Sequence, residues 1–351
     1  MRAPRFRWVA LALLTAGAAE AQVQGFVPHT ISLPPTAQEW TGFDAIAGAE
    51  LSSRHPRGTV LILEWPAGQP QATIAEWDLQ SGQRLRSTAL DLPAGLTDVQ
   101  MVRAGDWIHV LGYAKSGSAL RYLRLTTAFE VEEKSSLGTA QGMSMATDGS
   151  TVAMVWAGTR AGIPPIDGWH VLTLDAAGRR HGYTLISTQH AFGNSRRVVV
   201  VLERHVYVYV DDSHDLPTLF RVDENAHIEQ LYKPYASRPP QTKSLAESSG
   251  KLIVYSGSFI DKLSSDWFTA SPSLSLPPRM RDYATSPYIA VVSDASGRLV
   301  TSQGDILSAS FVFERQFAPH DGSGVVPLWV GSIPVLVSAG PNGRLWIAWS
   351  D

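Results

Sequence analysis

The sequence predicts an all-β fold, a β-propeller of about seven four-stranded blades around a central axis. Three observations carry that expectation. Short runs rich in Val, Ile, Leu, Tyr and Trp, each bounded by Gly, Asp, Asn or Pro, fill the chain. The clearest runs open at Gly58, Asp106, Thr151, His205, Lys251, Arg298 and Arg344, a recurrence of about 47 residues. Beyond the first twenty residues, Pro and β-branched side chains break every stretch that would otherwise read as an amphipathic helix.

The elements follow in order. Arg2, Arg5 and Arg7 precede an apolar run from Trp8 to Ala16, and Ala19-Glu20-Ala21 makes a small-x-small site before Gln22. Residues 1–21 therefore read as a secretory signal peptide, and 22–351 as one propeller domain. The apolar run is too short for a stable membrane anchor, so no membrane span is expected after its removal. In the repeat beginning near Arg197, four strands are expected at 197–203, 205–210, 218–222 and 227–232. Tight polar turns join first and second strands: Gly105-Asp106, Asp148-Gly149-Ser150, Ser249-Gly250, and Pro341-Asn342-Gly343. Third and fourth strands turn at Asp78 to Gly82, Asp175 to Gly178, and Asp223-Glu224-Asn225. The run at 344–350 is read as the second strand of a last blade that N-terminal residues 26–33 complete. Such a closure removes the open edges of the sheet. The Ser/Pro-rich stretch 264–278 reads as a long loop, and six or eight blades are the alternatives.

Composition narrows the function classes. Charged residues are 17% and hydrophobic residues 44%, which excludes a disordered chain or a coiled coil. There is no Cys, which excludes disulfides, thiolate metal sites, a cysteine nucleophile and a lipoprotein anchor. The net charge is −3 and becomes −5 when three Arg and one Glu leave with the signal, so nucleic acid is not an expected partner. The expected compartment is the periplasm or the exterior, and the expected state a monomer.

One segment carries a family likeness. Residues 74–90, IAEWDLQSGQRLRSTAL, resemble the third strand, turn and fourth strand of WD40 and quinoprotein-type repeats, with Asp78 after the strand and Gly82 in the turn. The resemblance implies the propeller superfamily. The WD40 Gly-His pair is absent, and Trp-Asp occurs only at Trp77-Asp78.

Candidate sites are of three kinds. Trp65, Tyr113, Trp156, Tyr255 and Trp349 stand at the ends of what read as second strands, where a ring of aromatics can stack on sugars or peptide side chains, or else fill the wedge between blades. Asp211, Asp212, His214 and Asp215 could hold a metal, or form a solvated turn. Asp44 and Asp98, near the starts of innermost strands, are the candidate catalytic acids, and Arg196 could meet an anionic ligand at the axis. There is no GxSxG elbow, P-loop or GxGxxG, and no particular cofactor is indicated. The reading favoured is a non-catalytic binding or scaffold module for an envelope protein, a peptide or a glycan. The rivals are a hydrolase or lyase acting on carbohydrate or lactone, and a metal- or quinone-binding propeller.

Overall fold

The computed structural model describes residues 29–32, 40–48, 54–66, 71–92, 96–114, 119–161, 166–187, 198–210, 218–232, 244–248, 250–256, 259–263, 274–275, 291–302, 304–316, 323–339 and 345–349. Among them all regular structure is strand, in antiparallel sheets. The first sheet is β2 (Trp40–Ala47), β3 (Thr59–Pro66), β4 (Ala72–Asp78) and β5 (Arg84–Leu90), in sequence order. A seven-stranded sheet follows: β6 (Leu96–Ala104), β7 (Trp107–Ala114), β8 (Ala119–Thr126), β9 (Val131–Thr147), β10 (Thr151–Arg160), β11 (Ile166–Asp175) and β12 (Arg180–Ser187). β9 serves both halves. Its first part pairs with β8 and its second with β10.

Three four-stranded sheets come next. They are β13 (Val199–Leu202) to β16 (Ile228–Tyr232) through β14 (His205–Val210) and β15 (Thr218–Val222); β17 (Ser244–Ser248) to β20 (Leu274–Ser275) through β18 (Lys251–Ser256) and β19 (Phe259–Leu263); and β21 (Val291–Ser293) to β24 (Phe313–Gln316) through β22 (Leu299–Thr301) and β23 (Asp305–Leu307). The last sheet has the order β1-β27-β26-β25, with β25 (Ser323–Val330), β26 (Ile333–Ala339), β27 (Leu345–Trp349) and β1 (His29–Ser32). β1 pairs antiparallel with β27, from His29 opposite Trp349 to Ser32 opposite Trp346.

This sheet corrects one expectation. The run near 344–350 is the third strand of its sheet, not the second, because β26 occupies the second place after a tight turn at Gly331-Ser332. Among the described residues the N-terminal part contributes β1 to it, as the fourth strand. Trp349, accordingly, is not equivalent to Trp65, Tyr113 or Trp156. Of the stretch 264–278, the described part is the two-residue strand β20 against β19.

Inner strands such as β10, β13 and β14 are buried on both faces, whereas β5 at a sheet edge is mostly exposed, so the sheets pack on their neighbours through their inner strands. Phe43, Val60, Ile62 and Trp77 meet Val335, Val337, Ile347 and Trp349. On the opposite face of the same sheet, Leu61, Leu63 and Ile74 meet Met101, Val110 and Leu123. Equivalent clusters follow between each consecutive pair of strand groups.

The turns between third and fourth strands share one construction. An amide three or four residues on returns to the carbonyl at the turn's start: Phe129 to Thr126, Gly178 to Asp175, Ala226 to Asp223 and Phe311 to Ser308 at three, and Gly82 to Asp78 at four. The donor residue has positive φ in every case, between 63° and 83°. A ladder irregularity accompanies each turn. Glycine suits that position, yet Phe129, Ala226 and Phe311 occupy it, and their side chains pack into the neighbouring group's apolar cluster. The conformational cost is offset by burial.

Candidate functional site

A cavity of about 1000 Å³ opens between the innermost strands, with β2, β6, β9, β13, β17, β21 and β25 all contributing to its wall. Its wall is stitched by polar side chains that reach from one innermost strand to the next. The Asp44 carboxylate accepts a 2.7 Å hydrogen bond from the Met101 amide. At the next junction Gln100 accepts from the Met145 amide at 2.9 Å and donates to the Met143 carbonyl at 3.2 Å. At the third, the Ser144 hydroxyl accepts from the Val198 amide. A second tier of links lies at the turns that end these strands. Arg103 donates to the Gly48 carbonyl at 2.6 Å, Asp148 accepts from the Arg204 amide at 3.0 Å, and Glu247 accepts from the Ser293 hydroxyl at 3.1 Å.

Asp44 and Asp98 both stand on this wall. Asp44 is engaged with β6 as described, and one Asp98 oxygen accepts from the Val99 amide at 2.9 Å. Tyr113, Trp156 and Trp349 are 8%, 1% and 4% exposed, so these rings fill wedges between sheets and present no stacking face to solvent. Tyr113 donates to the Gln141 carbonyl, and Trp156 stacks on His170 at 4.9 Å. Trp65 and Tyr255 lie on β3 and β18, and their side chains fall outside the described residues, as do Arg196, Asp211, Asp212, His214 and Asp215. Among the described residues no three of His, Asp and Glu converge as metal ligands, and no helix is long and apolar enough to cross a membrane.

No family model matches the sequence, and no curated protein matches it either. Solved structures do. The chain is similar to the WD40 domain of Neurospora crassa Pan2, with a TM-score of 0.54 over 90% of this chain and 96% of that one, at 10% identity. The chain is a β-propeller. At that identity the likeness speaks for the fold alone.

Two buried histidines of the propeller repeat one arrangement. His109, fully buried on β7, faces the Tyr122 hydroxyl through Nδ1 at 2.8 Å and the Ala176 carbonyl through Nε2 at 3.1 Å. His170, fully buried on β11, does the same with the Tyr183 hydroxyl at 2.7 Å and the Gly158 carbonyl at 2.9 Å. A carbonyl only accepts, so Nε2 carries the proton and Nδ1 accepts from the phenol in both. Burial pushes the His109 imidazole down to about 4, with the nearby Arg124 guanidinium acting in the same direction. The His109 ring is therefore not placed for acid–base chemistry near neutrality.

Glu64 is the titratable group that the sequence reading passed over. Burial pushes its carboxyl up to about 7, against the pull of Arg84 and the Trp77 indole. The signal was present: Glu64 follows Val60 and Ile62 at the period of two that sends side chains to one face of a strand. An acid on an apolar face is the kind of group whose protonation shifts.

Glu64 and His109 act on stability in opposite senses. The folded propeller holds the Glu64 proton to higher pH than the unfolded chain does, so its contribution is full below pH 4.5 and lost as pH rises towards 7. The folded propeller resists protonating His109, so that contribution is full above pH 6.5 and lost as pH falls towards 4. Each is worth about 3 kcal/mol over its window, and between pH 4.5 and 6.5 the two slopes oppose each other. Asp78, Asp148, Asp175, Asp223 and Asp294 act lower: burial raises each, but hydrogen bonds from turn groups outweigh it and hold the carboxyls below 3.8. Denaturant midpoints of Glu64→Gln are expected to rise with pH across the shared window, and those of His109→Gln to fall. Two variants with parallel pH profiles would contradict both assignments.

Proposed function

We propose that the chain is an exported binding or scaffold propeller, with seven blades closed by the pairing of its first and last strands and a loop face that receives an envelope protein, a peptide or a glycan. The blade count is supported by the division of the seven-stranded sheet along β9, whose two parts each complete a four-strand group. Closure is supported by the ladder between β1 and β27 and by the apolar cluster that joins β2–β4 to β25–β27. Export rests on the tripartite segment 1–21, and N-terminal sequencing of the secreted protein should begin at Gln22.

The observation that carries the binding reading is the use made of Asp44. Its carboxylate holds a main-chain amide of the next innermost strand, at the junction before those held by Gln100 and Ser144. A neutral amide and a hydroxyl do the same work around the wall, which supports reading the position as a structural link rather than a proton donor. Asp44→Ala should cost about 1–3 kcal/mol in denaturant unfolding, the price of stranding the Met101 amide. Glycoside, lactone and ester panels should give no turnover with the purified protein. Turnover that vanishes in Asp44→Asn or Asp98→Asn would instead establish the hydrolase reading. Glycan and peptide arrays then sort the partner classes, and the expected result is saturable binding to members of one class.

A further inference from the structure

Six of the described arginines meet a carboxylate: Arg86 with Glu76, Arg124 with Glu133, Arg179 with Asp175, Arg204 with Glu224, Arg221 with Glu229 and Arg298 with Asp294. Arg160 and Arg180 do not, and both lie against one ring. The Arg160 guanidinium sits 3.8 Å from the Tyr183 ring centroid and that of Arg180 5.5 Å from it. Arg160 ends β10, Arg180 begins β12, and Tyr183 lies on β12. Arg180 is exposed, while Arg160 and Tyr183 are half-buried.

The ring between them is fixed from behind. Its hydroxyl is hydrogen-bonded to His170 at 2.7 Å; His170 is fully buried, anchored to the Gly158 carbonyl and stacked on Trp156. The tyrosine is thus a rigid ring against which both guanidiniums rest, each attracted to its π-electrons. Two like charges resting on one ring, with no carboxylate paired to either among the described residues, repel, and the arrangement is relieved when an anion joins them. Guanidinium forks match the edges of a tetrahedral oxyanion, and two of them supply more donors than a single carboxylate can take up.

We propose that Arg160 and Arg180 on Tyr183 form a binding site for a phosphate group, either as the free ion or as a monoester, on the wall of the propeller and separate from its axial cavity. The proposal does not depend on the binding reading given above. Tyr183 positions the arginines, and His170 positions Tyr183. No bond is made or broken; the site takes its ligand through charge-assisted hydrogen bonds and releases it intact.

The test is calorimetric titration of the mature protein with inorganic phosphate and, separately, glucose 6-phosphate. Saturable binding that weakens with added salt is expected. Arg160→Gln and Arg180→Gln should each weaken it about tenfold or more. Arg180→Glu, at an exposed position where the fold is indifferent to the change, should abolish it. Tyr183→Phe keeps the ring and should retain binding, while its melting temperature falls because His170 has lost its partner. Tighter binding of the sugar phosphate assigns an ester ligand, and equal binding assigns the free ion. The absence of binding to either, or undiminished binding in the double Gln variant, overturns the site.

Discussion

Deletion of residues 345–351 is expected to unfold the protein or to lower its melting temperature by well over about 10 °C. Those residues are β27, an inner member of its sheet that is hydrogen-bonded on one edge to β26 and on the other to β1. Removing it takes away two ladders at once and leaves β1 with no strand to pair with. It also withdraws Ile347 and Trp349 from the cluster that they share with Phe43, Val60 and Ile62, so the first sheet loses part of its packing partner. Apolar burial of that kind is worth roughly 1.5–3 kcal/mol per large side chain before the backbone bonds are considered. Circular dichroism melts of the full and shortened proteins decide the matter. A shortened protein that melts within about 2 °C of the full one would show that the last sheet stands without β27.

Phe129→Ala is expected to destabilise by about 3–5 kcal/mol, and Phe129→Gly by less. The ring is 3% exposed and packs with Leu61, Leu63, Ile74 and Leu123, and the Arg86 guanidinium lies over it at 4.2 Å. Its backbone, however, has φ 69°, where an L-residue with a Cβ is strained by about 1–2 kcal/mol. Alanine loses the ring and keeps the strain, whereas glycine loses the ring and is released from it. The usual order, in which glycine is the worse replacement, should therefore be inverted in denaturant unfolding. If glycine is the more damaging of the two, the turn conformation is not the one described.

Much of the architecture was legible in the sequence because strand and turn signals are local. The strands expected at 205–210 and 218–222 coincide with β14 and β15, and those flanking them differ only at their ends. The last sheet was misread by one strand, since Pro341-Asn342-Gly343 was read as the turn between its first and second strands, a place that Gly331-Ser332 holds. Asp44 and Asp98 were placed at the wall by strand order, but the amide that Asp44 holds belongs to a residue 57 positions on, and pairings of that kind leave no mark on the chain. The aromatic residues were visible as a recurrence. Which way each ring turns depends on the wedge between two sheets, and there Tyr113, Trp156 and Trp349 are buried. Arg160, Tyr183 and Arg180 come from two strands separated by β11, so nothing in the sequence joins them before the sheet forms.

The ladder between β1 and β27 also sets an order of events. A ribosome makes His29–Ser32 long before it makes Leu345–Trp349. While the intervening strands are made, β1 has no strand to join, and the sheet that needs it cannot assemble. The entropy of bringing such distant segments together grows only slowly with the length between them, so the completed sheet suffers little for it. The burden falls on time instead. An interrupted synthesis or a clipped tail yields a chain with most of its sheets built and one left gaping, and such a product is open to proteases and chaperones.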